Sequence, residues 1–145
     1  MKQTIAWARW APLGTVVIGL LLGGCVSHLD SPAALSKMQG DWHVKRLDKA
    51  PVDEAGAYLT VNSQTGMLSG FDGCNQVRGP VRVEDSKWFA FLAGTRKACP
   101  NAQAEQVSAA LHQGFVAGMK VGSISMGATV MVMTGGGHQV GLAPQ

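Results

Sequence analysis

Hydrophobic positions divide the chain into three regimes. From Leu13 to Leu22 there is an unbroken stretch without a charge. From Val26 to Met38 the apolar residues are scattered among Ser27, Asp30, Ser31, Pro32 and Ser36 with no period, which predicts a short tether. From Gly40 onward, short apolar segments separated by turn residues predict strands. They are Gly40–Leu47, Ala57–Val61, Met67–Phe71, Val77–Val83, Lys87–Leu92, Val121–Met126, Thr129–Met133 and Gln139–Leu142. In Ala57–Val61, Tyr58 and Thr60 share one face while Leu59 and Val61 share the other. Gly79-Pro80 interrupts the fourth segment and predicts a bulge or an edge. Trp88-Phe89-Ala90-Phe91-Leu92 is too continuously apolar to show two faces, so Trp88 is placed neither inside nor outside.

One helix stands among these strands. Pro100 suits a first helical position, where its missing N–H costs nothing. Ala104, Val107, Ala110, Leu111 and Phe115 follow at helical spacing, and Gly114 loosens or ends the helix. Many short strands and one helix predict an α+β domain, mostly an antiparallel β-sheet or small barrel. The boundaries read as 1–24 for a leader, 25–39 for the tether and 40–145 for a single domain. No repeat or second domain is visible.

The leader carries Lys2 and Arg9, no acid, and then the apolar run, the arrangement of a secretory signal. The run is short for a membrane span, which needs about 20 apolar residues. It ends in Leu22-Gly23-Gly24-Cys25, which resembles the bacterial lipobox, with Gly23 a less usual occupant than Ala or Ser. Cleavage would leave Cys25 as a lipid-bearing N-terminus. Each buried methylene contributes about 0.8 kcal/mol, so several acyl chains hold firmly. Val26 follows where an aspartate favours inner-membrane retention in enterobacterial-type sorting. The expectation is therefore a lipoprotein of the outer membrane, facing the periplasm.

Composition narrows the partners. The 145 residues are 46% hydrophobic and only 14% charged, with 19 glycines, as in a compact, turn-rich β protein. Removing Lys2 and Arg9 from a formal charge of +3 leaves +1, without the clustered cations that nucleic acid requires. The remaining chain of about 120 residues buries a modest core. Lipidation of Cys25 leaves Cys74 and Cys99, and in an oxidising compartment these are expected to pair. That disulfide would contribute roughly 3 kcal/mol in the chain-entropy account. The competing reading is a metal pair, which two cysteines without a nearby histidine serve poorly.

Gly70-Phe71-Asp72-Gly73-Cys74-Asn75, then Gly79, Thr95-Arg96-Lys97-Ala98-Cys99 and Glu105 resemble the META domain, the HslJ-like family. Gly40-Asp41-Trp42 is similar to that family's usual start, and the resemblance runs from Gly40 to about Leu142. Met126, Met131 and Met133, where leucine is more usual, and the loose Gly135-Gly136-Gly137 turn depart from the pattern. The resemblance implies a mostly antiparallel domain with one helix. It also implies an envelope protein, often a lipoprotein, linked to heat-shock or antibiotic-stress phenotypes such as novobiocin resistance. It implies no agreed enzymatic activity and no catalytic residue.

Read physically, Gly70 and Gly73 permit unusual backbone angles, and Asn75 can hold a turn. Cys74 would fasten that turn to the segment entering the helix, and Arg96 can donate to carbonyls or a carboxylate. Two readings stand side by side: a fold-defining clamp, or a recognition patch of Asn75, Thr95 and Arg96.

No phosphate-cradling glycine loop, G-x-S-x-G or H-E-x-x-H occurs, and the acids are scattered, so no enzyme and no cofactor are expected. His28, His43, His112 and His138 lie far apart in sequence. Met131 and Met133 share a strand face that Met126 could approach across a turn. Their thioethers suit Cu(I), while the plainer reading is core packing. The leading expectation is a non-enzymatic module for envelope interaction or stress protection. A small-ligand or Cu(I)-binding module and an inhibitor of a cell-wall enzyme are the alternatives. An exposed apolar patch around Phe71, Trp88 or Phe89 would favour a protein partner, and an apolar-lined cavity a small ligand.

Overall fold

The computed structural model describes residues 30–125 and 129–145. Its strands are β1 (Gly40–Leu47), β2 (Ala50–Pro51), β3 (Tyr58–Asn62), β4 (Met67–Phe71), β5 (Gln76–Glu84), β6 (Lys87–Ala90), β7 (Ala93–Gly94), β8 (Met119–Ser125), β9 (Thr129–Gly135) and β10 (His138–Pro144). The helices are α1 (Asp30–Ser36) and α2 (Ala102–Ala117), with a 3-10 turn at Asp53–Ala55. All strand pairs are antiparallel. The order β1-β3-β4-β5-β6-β8-β9-β10 closes on itself where β10 pairs with β1, giving an eight-stranded barrel with one main helix. Of the two forms the sequence leaves open, the closed barrel is the one adopted.

Side chains that alternate inward fill the barrel. Trp42, Leu59, Leu68, Val81, Trp88 and Met133 are buried, together with Val140 and Leu142 from the last strand. Burial of each large apolar side chain contributes roughly 1.5–3 kcal/mol. Helix α2 lies across the end where the β4–β5 and β9–β10 turns and the 3-10 turn gather. It drives Val107, Leu111 and Phe115 into the core. At the other end α1 contacts β3 and β5, and Leu35 and Met38 are buried. Trp42 donates its indole N–H to the Met38 carbonyl at 2.9 Å. The tether read through Met38 therefore contains a helix, and the folded domain starts before Gly40.

One local detail differs from the sequence reading, and two others resolve what it left open. Helix α2 starts at Ala102 rather than at Pro100, because Asn101 caps it: Asn101 Oδ1 accepts from the Ala104 N–H at 2.8 Å. Asn101→Ala should cost about 1 kcal/mol, measured by urea denaturation. Strand β5 passes unbroken through Gly79-Pro80, and it is the neighbouring strand that breaks, between β6 and β7. A ladder partner there would receive no N–H from Pro80. Trp88 points inward and Phe91 outward, 79% exposed.

Asp48 staples the closing seam. Its Oδ1 accepts from the Gln139 N–H, and its Oδ2 lies 2.8 Å from His138 Nδ1. The His138 contact, and then the Gln139 N–H, hold this carboxyl below the ordinary carboxylate range.

Candidate functional site

The Gly70–Asn75 segment turns β4 into β5 beneath the start of α2. Gly70 and Gly73 take positive φ, 154° and 105°. At Gly73 a Cβ would meet the Ala104 carbonyl oxygen at 3.0 Å, so glycine there lets the turn touch the helix. Cys74 and Cys99 are disulfide-bonded, with Cα atoms 4.5 Å apart. The bond ties the turn to the segment that enters α2.

Asn75 completes the clamp. Its Oδ1 accepts from Thr95 Oγ1 at 2.9 Å and from the Lys97 N–H at 2.7 Å. The Thr95 N–H donates to the Gln76 carbonyl at 3.1 Å. Residues 93–100 thus form an exposed strap held at several points against β5 and the β4–β5 turn. Of the three residues read as a recognition patch, the structure joins Asn75 to Thr95 in this internal clamp. Arg96 lies beside them, exposed on the strap.

Asp72, which no pattern in the sequence sets apart from the other acids, lies at the centre of this turn. It is 1% exposed. Its Oδ1 accepts from the Cys74 and Asn75 N–H groups at 2.8 and 2.7 Å. Its Oδ2 accepts from Ser108 Oγ at 2.8 Å and lies 2.9 Å from His112 Nε2. Burial pushes the carboxyl up, but the N–H groups of Asn75 and Cys74, then Ser108 and His112, outweigh it. The group therefore sits below the ordinary carboxylate range. An ionised carboxylate offers only acceptors, so Nε2 is the protonated nitrogen of His112. Ser108 and His112 stand one turn apart on α2, and that spacing is the one signal the sequence offered for the cluster. The carboxylate lies between serine and histidine rather than behind the histidine, an arrangement different from a Ser-His-Asp triad.

Outside the barrel, β3, β4, β5 and the strap enclose an open groove of about 790 Å³. Tyr58, Thr60, Ser69, Gln76, Arg78 and Thr95 are among the side chains that line it, and the lining contains no acid. Thr60 donates to Asp41 Oδ1 at the groove's far edge. Met131 and Met133 are buried with the core, and Met126 lies outside the described residues. Among the described residues no three His, Cys, Asp or Glu side chains gather to hold a metal.

The META domain family profile matches residues 33–145. The chain belongs to the META domain family. Its closed barrel, disulfide and Asp72 cluster are accordingly features of a META domain. An NMR structure of a protein from Burkholderia xenovorans is similar at 20% identity and a TM-score of 0.61, covering 100% of this chain and 99% of that one. A crystal structure of a DUF4847 family protein from Bacteroides vulgatus is similar at 14% identity and a TM-score of 0.49, covering 74% and 93%. The first likeness establishes the META barrel's fold and nothing about its activity. No curated protein matches the chain.

Proposed function

We propose that this META domain protein is an exported lipoprotein, held through acyl chains on Cys25 in the outer membrane and facing the periplasm. Its domain acts without catalysis, by binding another envelope protein, in a role of stress or antibiotic tolerance. The leader and the Leu22–Cys25 segment support the anchor, and both lie outside the described residues. One observation carries the binding reading: apolar side chains fill the barrel interior and helices cover both ends. A barrel packed in this way has its recognition surface on the outside, where the groove and the pinned strap lie. The buried Asp72 cluster is spent on joining the turn to α2, which supports structural rather than catalytic use.

Two measurements test this. Palmitate labelling should mark the wild-type chain and disappear in Cys25→Ser, and a labelled variant would remove the anchor from the reading. In-cell cross-linking of the tagged, lipidated chain should capture one dominant protein that Arg96→Ala loses. Background alone with both proteins would sink the interaction reading.

A further inference from the structure

The outward positions of β4, β5 and the β6–β7 segment form cross-strand rows. Ser69, Arg78 and Ala93 make one row. Met67 pairs with Pro80, and one step beyond the Val81–Ala90 pair brings Phe91 beside Pro80. Met67, Pro80 and Phe91 therefore make a second row, which is wholly apolar. Arg82 and Phe89 make the third, with the Arg82 guanidinium 5.7 Å from the Phe89 ring centroid. The apolar row is thus bracketed by two arginines about 13 Å apart along β5.

The two arginines differ in occupation. Arg82 pairs with Glu84 Oε1 at 2.6 Å and lies over Phe89. Arg78 has no ion pair or side-chain hydrogen bond among the described residues. It stands in the acid-free groove, with hydroxyl and carboxamide groups around it and Arg96 and Lys97 on the strap beyond Thr95. Among the described residues Phe91 is the most exposed of the large hydrophobic side chains. Its backbone is seated from behind, because its carbonyl packs so closely on Gly79 that a Cβ there would overlap it. An exposed aromatic anchor on a packed backbone beside an uncommitted arginine is the composition of a binding hot spot.

We propose that this face binds an acidic peptide segment of a partner protein. A carboxylate of that segment lies on Arg78 in the groove, and a neighbouring apolar side chain packs on the Met67–Pro80–Phe91 ridge. The inference rests on the interaction reading above and adds the surface and the partner's chemistry. Charge complementarity selects the acid, since Arg78 offers a forked donor and the groove offers no competing carboxylate. Relief selects a protein over a bilayer. A groove beside a projecting ring needs an irregular counterpart, which a lipid plane does not supply.

The test uses the full lipidated chain in cells, with Phe91 replaced by its benzoyl photo-cross-linking analogue. The same analogue at Val116 on α2 and at Ile124 on β8 serves as comparison. The expected result is one protein adduct from position 91 whose cross-linked peptide carries Asp or Glu within a few residues. Arg78→Ala should reduce its yield about tenfold, and Arg78→Lys should restore part of it. Thermal denaturation of each purified variant confirms that the barrel still folds. An adduct unchanged by Arg78→Ala, a cross-linked peptide without an acid, or a lipid adduct alone would overturn the inference. Protein adducts from Val116 or Ile124 but none from position 91 would overturn it and leave the interaction reading standing. No adduct from any position would overturn both.

Discussion

Asp72→Ala should lower the unfolding free energy by about 4 kcal/mol, because it removes a buried carboxylate and strands the groups that faced it. The Cys74 and Asn75 N–H groups lose the acceptor that shapes the turn. Ser108 and His112 lose the acceptor that docks α2 on that turn. For a domain of this size the melting temperature should fall by roughly 15 °C. Urea denaturation checks the magnitude, and an unchanged m-value would show that the folded state keeps its extent. Asp72→Asn should cost less, since one oxygen remains to serve either the turn or the helix.

The same residue predicts a pH dependence. An aspartate in the unfolded chain titrates near about 3.9. The carboxyl of Asp72 lies lower in the folded domain, so the unfolded state binds its proton first as pH falls. The stabilisation from Asp72 is therefore complete above the unfolded value and drains away as pH descends through the folded one. The stability gap between wild type and Asp72→Asn should be constant near neutrality and narrow below about pH 4. Parallel stability curves into strong acid would show that Asp72 carries no such linkage.

Loss of the disulfide should cost roughly 3 kcal/mol, whether by reduction or by Cys74→Ser with Cys99→Ser. The effect should also be uneven in space. The bond anchors the strap and the start of α2, while the β1–β10 seam is held by its own ladder. Hydrogen exchange at the Lys97 amide, which donates to Asn75 Oδ1, should quicken first in the reduced protein. Unchanged protection at Lys97 would show that the Asn75 clamp holds the strap unaided.

What was legible in the chain followed from period and punctuation. Leu59 and Val61 against Tyr58 and Thr60 announced a two-faced strand, and the structure buries the first pair. Ala104, Val107, Leu111 and Phe115 marked the inward side of α2. Cys74 and Cys99 are joined, the pairing that the cysteine count predicts. Trp88 was illegible because both faces of its strand are apolar: the outward one carries Phe89 and Phe91 beside Arg82, a surface that periodicity reads as core. Asp72 was illegible because its partners are remote in sequence, and burial of a carboxylate depends on donors that only the fold assembles. Arg78 had no signal at all. A single arginine in a strand gains meaning only when register sets Ser69 and Ala93 beside it.

Closure through the β1–β10 pair has a consequence for the order of events in synthesis. A polypeptide emerges from its N-terminus, and β1 finds its second neighbour only in residues 138–144, far along the chain. Until those residues are free, β1 presents an open row of backbone donors and acceptors, and the inward faces of β1 and β10 stay wet. The barrel therefore cannot be completed before β10 has been made. Its defining contacts are among the longest-range it has, which favours slow, late and all-or-none closure. Deletion of residues 138–144 would remove one side of the seam.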